Sequence, residues 1–64
     1  MNLRNRIEEF RDAQKMTQTE LGSRLGLTQQ QVSHYETGVR EPKVELAIRM
    51  SRALNTTVEE LFIV

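Results

Sequence analysis

The chain has no cysteine, which excludes a disulfide or a thiolate metal site as a brace for the fold. No apolar run approaches the roughly 20 residues that would span a bilayer. No apolar signal region follows the opening Met1-Asn2-Leu3-Arg4-Asn5-Arg6, so the expected location is cytoplasmic, with no membrane partner. Charge of one sign is not in excess either. Nine basic and nine acidic residues sum to zero, which argues against a protein that coats nucleic acid non-specifically and leaves room for one whose charges are sorted by face. The single histidine, His34, has no second His and no Cys beside it, so no metal site, and no cofactor, is expected. There is no nucleophile beside a base and no glycine-rich phosphate loop, and the expectation is that the chain is not an enzyme. Strand alternation, internal repeats, low-complexity segments and linkers are also missing. The 64 residues therefore make one domain, 1–64, of a size that buries only ~60% of the surface its unfolded chain exposes.

What is present is a set of helix punctuation marks. Apolar residues at Leu3, Ile7 and Phe10 lie on one helical face and predict a helix over Leu3 to Gln14, capped by Asn2. Thr17-Gln18-Thr19-Glu20, Thr28-Gln29-Gln30-Gln31 and Thr57-Val58-Glu59-Glu60 each match the capping box, in which a threonine hydroxyl and an acid or amide three residues on satisfy each other's backbone N–H. Met16 with Leu21, and Leu27 with Val32, add a hydrophobic staple at the first two. Gly26, Gly38 and Asn55 suit the left-handed residue past a helix end, and Pro42 stops any helix running out of the Gly38 loop. From Val44, the apolar positions Val44, Ala47, Ile48, Met50 and Leu54 predict a further helix with Arg49 and Arg52 outside. Five helices joined by short loops imply a compact all-α bundle with its helices set at large angles.

Gly26-Leu27 joins two of these helices so closely that the first must be small where the second crosses it, and Gly22 is small. Leu21, Leu25, Leu27, Val32 and Tyr35 are then placed to share one core, and Gln18 to Thr37 reads as a helix-turn-helix. The ordered set Arg11, Thr17-Gln18, Leu21, Leu25-Gly26-Leu27, Val32, Tyr35-Glu36, Gly38, Arg40, Pro42, Leu54 and Glu60-Leu61-Phe62 resembles the Cro and phage-repressor type helix-turn-helix family, the lambda-repressor-like DNA-binding fold. The resemblance runs from about Leu3 to Phe62. Gly22 departs from it, standing where the family usually has Ala, at a cost of roughly 0.5–1 kcal/mol in helix stability. Val39 occupies a place where a basic residue is common, and Lys43 replaces the usual Ser cap.

The resemblance implies a sequence-specific regulator of transcription, a repressor, that places the helix Gln29 to Thr37 in the major groove of double-stranded DNA. Helical geometry turns Gln29, Gln30, Ser33, His34 and Thr37 away from Val32 and Tyr35. A glutamine amide donates and accepts at once and so matches N7 and N6 of adenine. Gln29, Gln30 and His34 are the implied base contacts, with Ser33 beside them; the blander reading of the same residues is a soluble polar face. Gln18 opens a helix whose free N–H groups favour a phosphate. The resemblance assigns it to that contact, with Thr17, Gln31, Thr37 and Arg40 as further phosphate candidates and Lys43 in place of the charge missing at Val39. So few cations predict a shallow salt dependence. Arg11 and Glu36 are implied as a structural ion pair tying the first helix to the third.

One recognition helix reads only a few base pairs, so a homodimer on half-sites is expected. The apolar end Leu61-Phe62-Ile63-Val64 supplies core residues in Leu61 and Phe62. Phe62, Ile63 and Val64 are also candidates for the dimer contact, against a second reading of this end as the edge of a longer repressor. The alternative from another class is a protein-interaction module with the same fold, such as an antitoxin or an adaptor, with a further protein as its partner.

Overall fold

The computed structural model describes residues 4–63, with the backbone alone at Arg4 and Ile63. Five helices follow in order: α1 Ile7–Ala13, α2 Gln18–Leu25, α3 Gln29–Glu36, α4 Val44–Ala53 and α5 Val58–Leu61. They are flanked by β1 Arg4–Asn5 and β2 Phe62–Ile63. The expected five-helix all-α architecture is present. What the sequence pattern did not announce is the pairing of the two ends. β1 and β2 run antiparallel with Arg4 opposite Ile63 and Asn5 opposite Phe62, and the Arg6 N–H continues the tie by donating to the Leu61 carbonyl at 2.8 Å.

That pairing corrects the expected start of the first helix. Leu3 and its proposed cap Asn2 lie outside the described residues, and α1 begins at Ile7 because Arg4 and Asn5 are extended. Asn5 does the local work. Its Oδ1 accepts the Ile7 N–H at 3.1 Å, satisfying one of the free donors that open a helix, and its Nδ2 donates to the Tyr35 carbonyl at 2.9 Å.

The two capping boxes of the central pair are complete. Thr17 and Thr28 accept from the N–H groups of Glu20 and Gln31 at 3.0 and 3.1 Å, and those side chains accept from the threonine N–H groups in return. The third is half formed. Thr57 accepts from the Glu60 N–H at 3.1 Å, but the Glu60 carboxylate takes the Thr57 hydroxyl instead of its backbone. Gly26 and Gly38 have positive φ of 73° and 81°, and Asn55 shares the left-handed region at 57°. Lys15, at 55°, ends α1 in the same way. Its N–H bonds to the Asp12 carbonyl and that of Met16 to Arg11, the pair of bonds in which a helix commonly terminates on glycine.

Ile7, Leu21, Val32, Met50, Leu54 and Leu61 are fully buried, and Met16, Leu25, Ala47 and Phe62 nearly so. In α4 the buried face is Ala47, Met50 and Ser51. Val44 is 76% exposed and Ile48 38%, against the expectation that both face inward. Positions 47, 50, 51 and 54 form one stripe at helical spacing, and 44 and 48 form the next stripe over. Ser51 tolerates burial because its hydroxyl donates to the Ile48 carbonyl at 2.7 Å.

Gly22 has a sharper role than its helix cost suggests. A Cβ placed there would lie 2.6 Å from the Leu27 carbonyl oxygen and 3.3 Å from that of Thr28. The turn backbone occupies the space a side chain would take. Gly22→Ala should therefore destabilise the fold by about 1–3 kcal/mol despite its better helix propensity, as overpacking does. A urea melt showing Gly22→Ala as stable as the wild type or more so would contradict this close approach.

Candidate nucleic-acid interface

The α2–α3 pair positions the candidate site. α3 follows α2 after the turn at Gly26-Leu27-Thr28, whose Leu27 N–H closes on the Gly22 carbonyl at 2.8 Å. Val32 faces inward with no exposure, leaving Gln29 and Gln30 exposed and Ser33 and His34 half-buried.

A chain of hydrogen bonds leads from the interior to this surface. Arg11 and Glu36 have side chains only 9% and 5% exposed, with Arg11 Nε 2.6 Å from Glu36 Oε2 and Nη2 3.3 Å from Oε1. The remaining Arg11 fork, Nη1, donates to the Met16 carbonyl at 2.7 Å. The hydrogen bond to Glu36 holds the Arg11 guanidinium above the ordinary arginine range, and burial opposes this. Gln18 Nε2 donates to Glu36 Oε1 at 2.9 Å, and Gln29 Nε2 donates to Gln18 Oε1. The expected Arg11–Glu36 pair is thus present, and it continues through Gln18 to Gln29. Neither link beyond Glu36 was anticipated from the sequence.

Several phosphate candidates have prior engagements. The Thr17 hydroxyl and the Gln31 Oε1 belong to the capping boxes, leaving a hydroxyl proton at Thr17 and an amide NH2 at Gln31 to donate. The Thr37 hydroxyl donates to the Ser33 carbonyl at 3.0 Å, so a phosphate would have to displace that bond. Arg40 and Lys43 are exposed and line an open cleft of about 650 Å³ with Tyr35, Glu41, Glu45 and Arg49. A second depression, lined by Glu8, Arg11, Asp12, Lys15, Thr17, Gln18 and Gln29, lies over the start of α2. Lys15 is a phosphate candidate the sequence reading missed; the available signal was a cation two residues before a capping threonine.

Of the expected dimer contacts, Phe62 is 6% exposed and part of the chain's own core. The Ile63 side chain and Val64 lie outside the described residues. Exposed apolar side chains are found at Val39 and at Val44 and Ile48, the latter two in a groove of about 320 Å³ shared with Pro42, Ala47, Val58, Glu59 and Phe62.

Residues 7–61 match the helix-turn-helix family. The chain belongs to that family, in its Cro and phage-repressor type. An uncharacterised HTH-type transcriptional regulator of Archaeoglobus fulgidus is 38% identical over 61 residues, 95% of this chain and 86% of that protein. Another from Methanothermobacter thermautotrophicus is 39% identical over 62 residues, 95% and 90% of the two chains. Among solved structures, the P22 c2 repressor in complex with a synthetic operator has a TM-score of 0.80 and 30% identity, covering 84% of this chain and 82% of that one. Hydroxypropylphosphonic acid epoxidase from S. wedmorenis shares the fold with a TM-score of 0.83 and 28% identity. It matches over 89% of this chain but only 30% of its own. The family fold is thus found both as a stand-alone regulator domain and within a much longer enzyme. Among the described residues, no helix is long and apolar enough to cross a membrane.

Proposed function

We propose that the chain is a sequence-specific DNA-binding repressor of transcription that acts as a homodimer and reads base edges in the major groove with the first turn of α3. The observation that carries this reading is the Gln18–Gln29 link. A free surface glutamine samples many rotamers, and ordering it on DNA would cost about 0.5–1.5 kcal/mol. Gln29 is already held. With one N–H donated to Gln18, it keeps its Oε1 and a second N–H, the donor–acceptor fork that adenine N6 and N7 require. Gln30 and His34 extend the reading face. Lys15, Arg40 and Lys43, with the free N–H groups of α2, supply the phosphate contacts that fix register without carrying sequence information.

The apolar groove at Val44 and Ile48 supports the dimer, because exposed apolar surface commonly marks association sites. Two copies would place their α3 helices on half-sites about 34 Å apart.

A gel shift on duplexes from the chain's own promoter tests the proposal. Wild type should shift a discrete fragment, and Gln29→Ala and Gln30→Ala should each weaken binding by roughly 5–100-fold, as lost base contacts do, without changing the melting temperature. Sedimentation of the same mixture should give two chains per operator. Binding unaffected by both substitutions would remove the base-reading model, and a strict monomer on operator DNA would remove the dimer.

A further inference from the structure

The relay from Glu36 to Gln29 has a direction, and that direction follows from chemistry. An amide has a donor end and an acceptor end, whereas a carboxylate only accepts. Glu36 therefore requires Gln18 to turn its NH2 inward, which leaves Gln18 presenting Oε1 outward, and Gln29 must meet that oxygen with its own NH2. The Gln29 Oε1 is then the atom left to face the groove beside one N–H.

We propose that Glu36, two side chains removed from the DNA, selects the base that Gln29 reads by fixing the direction of this amide relay. The inference rests on Gln29 being a base contact and identifies Glu36 as a positioning residue for specificity. The consequence is definite because the two Glu36 oxygens are not equivalent. Oε2 is the close partner of Arg11 Nε at 2.6 Å, while Oε1 meets Gln18 at 2.9 Å and Arg11 Nη2 only at 3.3 Å. In Glu36→Gln the amide oxygen stays on the 2.6 Å Arg11 Nε donor, and the new NH2 takes the place of Oε1, where it gives up only the longer 3.3 Å contact with Arg11 Nη2. Gln18 must turn its oxygen toward that NH2 and its own NH2 outward. Gln29 then offers its oxygen to Gln18 and only N–H groups to the groove. Adenine presents an acceptor and a donor there, whereas guanine presents two acceptors, N7 and O6. The relay reversed should read guanine.

The test is the ratio of Kd values for adenine and guanine duplexes at the position that Gln29→Ala identifies. Thermal melts of each variant accompany it. Wild type should favour adenine by about tenfold or more, the discrimination of a good bidentate contact. Glu36→Gln should lower that preference at least tenfold, to parity or beyond toward guanine, leaving other positions unchanged. A folded Glu36→Gln that keeps more than a tenth of the wild-type preference would overturn the inference. The double variant Gln18→Glu with Glu36→Gln moves the carboxylate one link outward, where it accepts from the new amide at position 36 and from Gln29 together. It should restore the adenine preference even though a carboxylate near the phosphates weakens overall affinity. A folded double variant that does not favour adenine would equally overturn it, and this arm holds if Glu36→Gln alone fails to fold. A merely structural Glu36 predicts lower stability with the base order intact. If Gln29→Ala alters preference at no position, the failure belongs to the base-reading model and not to the relay.

Discussion

Arg11→Ala should remove a large part of the stability of the domain, by about 3–5 kcal/mol, which is the effect of deleting one partner of a buried ion pair. The substitution leaves the Glu36 carboxylate, 5% exposed, without its guanidinium, and it orphans the Met16 carbonyl that Nη1 satisfies. Glu8 and Asp12 also approach Arg11, at 3.9 and 3.2 Å, but their own side chains are 70% and 64% exposed, so those contacts contribute little. A chain of 64 residues has a total stability of about 3–10 kcal/mol at ordinary per-residue values. Arg11→Ala should accordingly lose a large part of that margin and unfold at a much lower urea concentration than the wild type. Arg11→Lys should recover only part of the loss, because an ammonium lacks the planar fork that holds Glu36 and Met16 together. Circular dichroism during a urea titration measures both, and a loss below about 1 kcal/mol in Arg11→Ala would show that the pair is a surface contact. Whatever fraction of Arg11→Ala stays folded should keep the wild-type order of base preference, since Glu36 still offers Gln18 acceptors alone.

Phe62→Ala should cost about 3–5 kcal/mol, as expected for deleting a buried aromatic ring. The residue is 6% exposed, and its backbone pairs with Asn5 where the two ends of the chain meet. Losing the ring removes core at the point that also anchors the entry to α1. The melting temperature of Phe62→Ala should fall by the same amount at every protein concentration. A residue whose burial depends on a second copy would instead show a deficit that grows with concentration over a range where only the wild type associates. Near wild-type melting with loss of association would return Phe62 to the dimer interface.

Local signals carried the helix-turn-helix well. Threonine with an acid or amide three residues on, a staple on either side and a glycine at the end all act within one or two turns, and α2 and α3 begin at Gln18 and Gln29 as those signals require. Signals that depend on distant residues were not legible. Asn5 opens α1 because its backbone pairs with Phe62, near the other end of the chain. Lys15 occupies a left-handed position with no glycine to mark it. Val44 and Ile48 share a helical stripe that periodicity ranks with the core, and only the arrangement of neighbouring helices leaves that stripe uncovered. The same division runs through the site. The family resemblance pointed to Arg11 with Glu36 and to Gln18 and Gln29 separately. The hydrogen bonds that join them into one relay run between residues 18 and 11 positions apart, across α2 and α3, and residue types alone do not encode them. The Thr37 hydroxyl's bond to the Ser33 carbonyl, four residues back, is a local contact that the residue pattern offered and the sequence reading missed.

The central claim is that Gln29 reads a base from a position held by the interior of the protein. Selection from a pool of randomised duplexes tests it most directly, with wild type and Gln29→Ala run in parallel. Wild type should enrich a two-fold symmetric site with adenine at one position of each half, and Gln29→Ala should enrich the same site with that position alone no longer selected. Recovery of no common site by wild type, or of an unchanged site by Gln29→Ala, would contradict it.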